Sequence, residues 1–361
     1  MKTPLYLFIP MQIKRKDHTL ELTPKVSDFS FDSPMKNYAE ELREEQFELD
    51  EEEVWWQGTP KRVPVQRISA IYVLSEADFN NRLLTFLSSR HIPVHFFSYY
   101  GYYSGSYLPR DRMPNGKVLA AQVRLYDSPT ARLHSGKKLI DAAMYNMRYV
   151  VRYYHRLDGG YEHYSGQMEA VKKDLAQATS LEQLRAVEGR YRKWFYAFFD
   201  ACSKSSFQLK GRSYHPPNNP ANALISFLNS MLYTAVLGEL YRTQLNPTIG
   251  WVHETGRHQF PLAYDLAELF RPLLVEQTAL SLIRRHIVKP EDFEESLKGV
   301  LLNRDGRYKV SRAFESRMRR TVRHPRLDRN VSYRYLLRLE AYKLMKYLRE
   351  GACYEAFTIW W

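Results

Sequence analysis

Apolar positions along the chain follow two different periods. Over roughly the first third they come as short runs or in alternation, the pattern of β-strands. Leu5 to Ile9 is an apolar run after Pro4, and Thr19 to Leu22 alternates. Val63 to Leu74 is rich in β-branched residues, with Pro64 marking an edge or a bend. Ala77 to Ser88 carries Phe79, Leu83, Leu84 and Leu87 at helical spacing. Val94 to Phe97 reads as a buried strand, and Tyr102 to Leu108 as one more. From about Pro114 the strand signals vanish and helical spacing takes over. It runs through Val118 to Tyr126, Ala131 to Tyr154, Ser165 to Ala178, Leu181 to Ala201, Asn222 to Tyr241, Leu262 to Arg285, Ala313 to Val322 and Tyr333 to Leu348. The Gly159-Gly160 pair, the His215–Pro220 loop and the Pro247–Gly250 turn separate them. The pattern predicts an α+β chain, with a small β-rich domain over 1–112 and a larger all-α domain over 113–361.

Charge adds a partner class. The net charge is +13, yet Glu40 to Glu53 holds nine acids and one base, Arg43. Outside that stretch 52 bases face 31 acids, a net of +21. A body this cationic points to nucleic acid, an anionic membrane surface or an acidic partner. No apolar run of about 18 residues occurs, so no membrane span is expected. The opening MKTPLYLFIP turns charged at Lys14 and lacks a long apolar core, which argues against a signal peptide. Cys202 and Cys353 form no CxxC and imply neither a zinc site nor a disulfide framework. A cytoplasmic protein that handles nucleic acid fits best. The segment from about 25 to 60 reads as an insertion, either a solvated surface element or an electrostatic mimic that docks a partner.

Three segments combine ionisable residues with tight local context. They are Val187-Glu188-Gly189 at a helix-like stretch, Gly250 to Glu254 around His253, and Tyr264 to Pro272. Asp265 and Glu268 are spaced i, i+3, so a helix presents both carboxylates on one side. Paired carboxylates suit Mg²⁺ or Mn²⁺, and one imidazole tilts the preference towards Mn²⁺. His253 precedes that helix by a short connection, whereas Glu188 must arrive from another helix. None of these signals is specific alone. Two acids at i, i+3 are most often a solvated face, and a single turn histidine is most often structural. HExxH, EF-hand and DxD spacings are all absent. The residues by themselves yield a candidate carboxylate–histidine site in a basic protein.

The same segments, in order, resemble the CRISPR-associated protein one family. "VEGRYRKWFYAFF" is similar to the family's Glu-Gly entry to an aromatic helix, and "HPPNNPANALISFLNSML" to its Pro-rich loop and Asn-Ala-Leu helix. "LNPTIGWVHETGRHQFPLAYDLAELFRP" resembles its apolar-His, Gly-Arg and Asp-Leu-x-Glu-x-Phe-Arg-Pro series, and "VPVQRISAIYVLS" with "HIPVHFFSYYGYYSGSYLP" resembles its later strands. The chain departs from the pattern in the longer, more acidic 25–60 segment, at Leu228-Asn229 and at Gln244-Leu245.

The resemblance implies an integrase that inserts short DNA into a CRISPR repeat array by metal-dependent strand transfer, with DNA endonuclease activity as a side reaction. It implies Glu188, His253 and Glu268 as ligands of Mg²⁺ or Mn²⁺, with Asp265 as an auxiliary catalytic carboxylate. Arg271 would steady a phosphate or pair with the acids, and Tyr264 would position DNA or pack. Arg284, Arg285, Arg317, Arg319, Arg320, Arg323 and Arg326 are candidate DNA contacts, with a solvated helix face as the alternative. The implied partners are double-stranded prespacer and repeat DNA, a second copy of the chain through the β domain, a dimer of the small CRISPR-associated protein two and, in some systems, a trimming nuclease. Two other readings stand beside it: a non-catalytic DNA-binding scaffold of the same fold, and a stand-alone metal nuclease in DNA repair.

Overall fold

The computed structural model describes residues 2–25, 61–98, 100–109, 115–158, 161–203, 205–213, 216–256, 259–296, 299–351 and 353–361, with backbone only for 155–158 and 161–165. The acidic stretch and the Gly159-Gly160 breaker lie outside the described residues. The chain divides into two compact units, Met1–Arg112 and Met113–Trp361.

Among the described residues the first unit holds two four-stranded sheets. One orders β1 (Thr3–Leu7), β5 (Ile68–Val73), β7 (Val94–Phe97) and β8 (Tyr103–Tyr107); its first three strands are parallel and β8 is antiparallel. β1 and β5 are buried almost throughout, hence their unbroken apolar runs. The other sheet orders β4 (Lys61–Pro64), β3 (Thr19–Pro24), β2 (Met11–Lys16) and β6 (Ala77–Asp78). Met11, Ile13, Leu20 and Leu22 face inward, and together with Leu5, Leu7, Ile71 and Val73 they form one core that Leu83, Phe86 and Leu87 of α1 (Asn81–Ser89) complete.

Two local differences have physical causes. Pro64 does bend the 63–74 stretch, since a 3₁₀ turn over Val65–Arg67 separates β4 from β5. Ala77 and Asp78 are strand, paired with Met11 and Gln12 rather than opening a helix. The helix starts where the Asn80 side chain accepts the Leu83 amide at 3.0 Å.

The second unit is mostly helical. Its elements are α2 (Gly116–Asp127), α3 (Pro129–Asp158), α4 (Tyr161–Gln177), α5 (Leu181–Cys202), α6 (Pro220–Leu240), α7 (Pro261–Arg271), α8 (Gln277–Arg284), α9 (Arg304–Arg319) and α10 (Tyr333–Glu350). Two antiparallel hairpins interrupt the helices: β9 (Phe293–Ser296) with β10 (Gly299–Leu302), and β11 (Thr321–His324) with β12 (Arg329–Ser332). The helix read over 313–322 therefore ends at Arg319 and gives way to β11.

α6 is the core helix. Asn219 caps it by accepting the Asn222 amide at 2.9 Å, and Pro220 takes the first turn, where a missing N–H is harmless. No unbroken run of about 18 apolar residues occurs in α6, which Asn222, Ser226, Asn229 and Ser230 interrupt, but by length and composition it is apolar enough to cross a membrane, with mean hydropathy 1.4. Yet 83% of that window is buried inside the unit, as befits a core helix.

α3 fixes α7. Asn146 donates to the carbonyls of Leu269 (2.9 Å) and Phe357 (3.0 Å) and accepts the Ile359 amide (2.9 Å), tying α3 to α7 and to the C-terminal segment. Phe357 also stacks on Phe270, with ring centroids 4.5 Å apart. Asn146→Ala removes three buried hydrogen bonds to the backbone. It is expected to cost roughly 2–4 kcal/mol, read as a lower denaturant midpoint with an unchanged slope.

The stretch from 262 to 285 is not one helix. α7 stops at Arg271, a π-helical turn spans Pro272–Glu276, and α8 follows. Pro272 has no N–H to donate and its ring excludes the carbonyl four residues back. The backbone responds by widening, so that the Gln277 N–H bonds to the Pro272 carbonyl, five residues back.

Candidate active site

The connection between α6 and α7 is folded tightly by its own polar groups. Gln122 of α2 holds Asn246 on both sides, accepting its amide (2.8 Å) and donating to its carbonyl (3.0 Å). Asn246 Oδ1 in turn accepts from the Thr248 amide (3.0 Å) and hydroxyl (2.7 Å), a side-chain-made turn. Gly250 follows where no side chain fits. A Cβ there would lie 2.6 Å from the His253 carbonyl oxygen and 2.8 Å from Pro261 Cβ. Gly250→Ala is expected to displace His253 and to destabilise the fold by about 1–3 kcal/mol; equilibrium unfolding of the variant checks it.

The chain then wraps around Asp265. Its carboxylate accepts the backbone amides of Trp251, Val252 (3.2 Å) and His253 (3.0 Å), and it meets His253 Nδ1 at 2.7 Å. Asp265 is 2% exposed, so these bonds replace its hydration completely. The His253 ring also lies against Tyr264, centroids 5.6 Å apart, and Tyr264 packs on Tyr233 at 4.5 Å. Burial lowers the imidazole pKa. The hydrogen bond and charge of Asp265, with the charge of Glu188, outweigh it and leave the pKa above the ordinary histidine value.

Glu268, one turn further along α7, faces different partners. Its Oε1 accepts from Arg271 Nη1 at 3.2 Å, and its Oε2 pairs with Arg192 Nη2. Arg192 reaches it from α5, four residues after Glu188, and donates from Nε to Glu188 Oε1 at 3.1 Å. Arg271 donates from Nη2 to the Tyr196 hydroxyl (2.9 Å) and places Nε 3.2 Å from Glu276 Oε1. Glu276 is wholly buried and also lies 3.8 Å from Arg192 Nη1. The structure thus gathers Glu188 and Glu268 around one guanidinium and brings His253 to Asp265. Asp265 grips the 251–253 loop, whereas Glu268 faces the arginines.

Glu188, Glu268 and Glu276 meet two guanidiniums, Arg192 and Arg271, and Asp265 adds a fourth carboxylate on the His253 side of this largely buried cluster. With His253 neutral the cluster carries a net charge of −2. Among the described residues no three His, Cys, Asp or Glu side chains stand close enough together to hold one metal ion. Arg192 pairs with both Glu188 and Glu268, so its guanidinium takes up the facing oxygens of the two carboxylates. The donor set still fits a divalent cation: carboxylate oxygens and an imidazole are the ligands Mg²⁺ and Mn²⁺ take, and two positive charges balance the excess.

The arginines read as one DNA-contacting group are spread over several settings. Arg317 is half-buried and tied to Gln277, near Tyr154 and Tyr333, and Arg319 pairs with Glu315 at 3.4 Å. Arg323 and Arg326 are exposed, bridged to Asp328 (2.7 Å) and Glu355 (2.8 Å). Arg320 and Arg285 are exposed, and Arg284 lies over the Tyr154 ring at 5.7 Å.

Arg192, Glu276 and Tyr196 were not singled out by sequence reasoning. The i, i+4 spacing of Glu188 and Arg192 was the available signal. Glu276 had none, because it stands five residues after Arg271 and only a π turn brings such a pair together. The first unit adds a further basic feature, an open depression of about 860 Å³ lined by Lys14, Arg15, Arg82 and Arg90, with Arg15 over the Phe86 ring at 4.3 Å.

Comparison with known proteins agrees with this architecture. Residues 41–316 match the family model described as CRISPR associated protein Cas1. The CRISPR-associated endonuclease Cas1 of Haloferax volcanii is 39% identical over 305 residues, covering 84% of this chain and 92% of the relative. A Cas1 protein from Thermotoga maritima superposes with a TM-score of 0.79 at 30% identity, over 96% of this chain and 97% of that one. A casposase bound to its integration product shares the fold, with a TM-score of 0.80 at 18% identity over 98% of this chain and 92% of that one. The molecule is thus a CRISPR-associated protein of α+β architecture. It belongs to the Cas1 family, whose relatives are named endonucleases.

Proposed function

We propose that the chain is the integrase of CRISPR spacer acquisition, joining the 3′-hydroxyl of a short prespacer DNA to a repeat phosphodiester, with DNA cleavage when water replaces the hydroxyl. The observation that carries this reading is the largely buried cluster of net charge −2, in which Asp265 aims the His253 imidazole and the charge of Glu188, from another helix, also acts on it. Glu188, His253 and Glu268 would hold Mg²⁺ or Mn²⁺. Asp265 bonds Nδ1 and so assigns the ligating role to Nε2, the arrangement in which a carboxylate orients a metal-binding histidine. Bound metal supplies Lewis acidity, lowering the pKa of the attacking hydroxyl and stabilising the charge on the phosphoryl and leaving oxygens. Arg271 pairs with Glu268, Tyr196 and Glu276, and in this reading it would turn from them to steady a phosphate. Tyr264 lies tilted against the imidazole and would help to hold it or position DNA.

In this reading Arg284, Arg285, Arg320, Arg323 and Arg326 would follow a DNA backbone, and Arg317 and Arg319 would contribute from within their own pairs. The partners in this reading are prespacer and repeat duplexes, a second copy of the chain, a dimer of CRISPR-associated protein two and, in some systems, a trimming nuclease, all in the cytoplasm. The double variant Arg284→Ala with Arg285→Ala is expected to weaken duplex binding on every sequence. It should also reduce the slope of log affinity against log salt by about 2, measured by fluorescence anisotropy across a salt series.

Chelation tests the reading as a whole. EDTA is expected to abolish joining of a prespacer to a repeat plasmid while leaving duplex binding in place, and excess Mn²⁺ is expected to restore joining. Joining that continues in EDTA contradicts it.

A further inference from the structure

Arg192 and Glu276 are the charged members of the cluster that neither hold the metal nor touch DNA in the reading above. Arg192 pairs with both carboxylates, with Nε on Glu188 at 3.1 Å and Nη2 on Glu268. Glu276 is 0% exposed, and neither of its oxygens accepts a hydrogen bond. Burying a carboxylate with unspent lone pairs is unfavourable, so its position calls for a role. It is reached only through the π turn, which stacks it under Arg271, and it lies 3.8 Å from Arg192 Nη1.

We propose that Arg192 is a resident counter-cation seated between Glu188 and Glu268 in the metal-free protein, and that Glu276 is the second seat that receives its guanidinium when a divalent ion enters. The proposal rests on the assignment of Glu188, His253 and Glu268 as metal ligands. The exchange releases Nε from Glu188 and Nη2 from Glu268, and the second seat is already close to Nη1. Closing 3.8 Å to a charge-assisted hydrogen bond takes about 1 Å. It also keeps every buried charge paired throughout. Without metal the guanidinium answers the Glu188 and Glu268 carboxylates; with metal those carboxylates answer the ion, and the guanidinium answers Glu276. A buried charge left without its partner is strongly destabilising, so a site that merely expelled Arg192 would bind metal poorly. Glu276 is then a positioning residue that sets metal affinity without touching the ion.

The test is calorimetric titration of Mn²⁺ alone into the metal-stripped full-length chain, without DNA, alongside metal-free melting curves. Wild type is compared with Glu188→Gln, Glu276→Gln, Arg192→Met and the Glu276→Gln, Arg192→Met double variant. Glu188→Gln is expected to lose the site. Glu276→Gln is expected to weaken Mn²⁺ by about tenfold or more, since the displaced guanidinium has lost its charged seat. Arg192→Met is expected to bind Mn²⁺ more tightly and to melt lower without metal, with Mn²⁺ restoring the melt. In the double variant the penalty of Glu276→Gln should largely vanish. An unchanged affinity in Glu276→Gln, or the same penalty with and without Arg192, overturns the proposal alone. If Glu188→Gln binds Mn²⁺ like wild type, the ligand assignment falls and the proposal with it. Should Glu276→Gln fail to fold, Arg192→Met decides: tighter Mn²⁺ binding supports the exchange, and equal or weaker binding overturns it.

Discussion

Asp265→Ala is expected to be the most destabilising single change in the helical unit. The carboxylate ends the backbone amides of Trp251, Val252 and His253 and bonds the His253 ring, at a position 2% exposed. Truncation strands three buried donors and releases the imidazole. Each stranded donor costs about 1–3 kcal/mol, and partial relaxation of the loop brings the total to roughly 3–5 kcal/mol. For a chain of this size that lowers the melting temperature on the order of 10 °C, which a thermal melt followed by circular dichroism reads directly. Asp265→Asn does not rescue it. An amide nitrogen turned towards that loop presents a donor to donors, and turned the other way it loses the Nδ1 contact if that nitrogen keeps its proton.

Glu188→Gln is expected to have the opposite profile, with a nearly unchanged fold and almost no chemistry. Its side chain is near the surface of the cluster, 13% exposed, and an amide keeps the volume and one acceptor for Arg192 Nε. What it removes is one negative charge from a cluster whose net −2 matches a divalent ion. Loss of a partner that only orients a ligand costs metal sites about 10–100-fold, so loss of a ligand is expected to lower strand transfer by more than a hundredfold. Rates measured at saturating DNA, with the melting curve as control, check this. A variant with near wild-type rates would show that Glu188 does not bind the metal.

Much of this architecture was legible in the chain because burial imposes a period. The unbroken apolar runs of β1 and β5 are strands buried on both faces, and the alternation of Thr19 to Leu22 is a strand with one face in the core. The long helices of the second unit were equally plain. The two hairpins were not, since strands such as Thr321–His324 and Arg329–Ser332 are four residues long and mostly exposed, too short to show a period. The i, i+3 spacing of Asp265 and Glu268 correctly put both on one helix. Spacing cannot say which neighbours each meets, and they turn to different ones: a loop's amides for Asp265, and two guanidiniums for Glu268. Glu276 was hidden by the assumption of an unbroken helix over 262–285. Pro272 is the visible cause of the π turn, but a proline can equally kink or end a helix, so its presence alone did not place Glu276 against Arg271.

The central claim is that the cluster around His253 performs DNA strand transfer. The most direct measurement joins a labelled short duplex to a supercoiled plasmid carrying a CRISPR repeat, in Mn²⁺ or Mg²⁺, with the small partner protein present. Wild type and His253→Ala are compared after both are shown to be folded and to bind the duplex. The account predicts joined product for wild type and bound but unjoined DNA for His253→Ala. Equal joining by both proteins would contradict it, and equal binding with no joining by either would make the chain a DNA-binding scaffold of this fold.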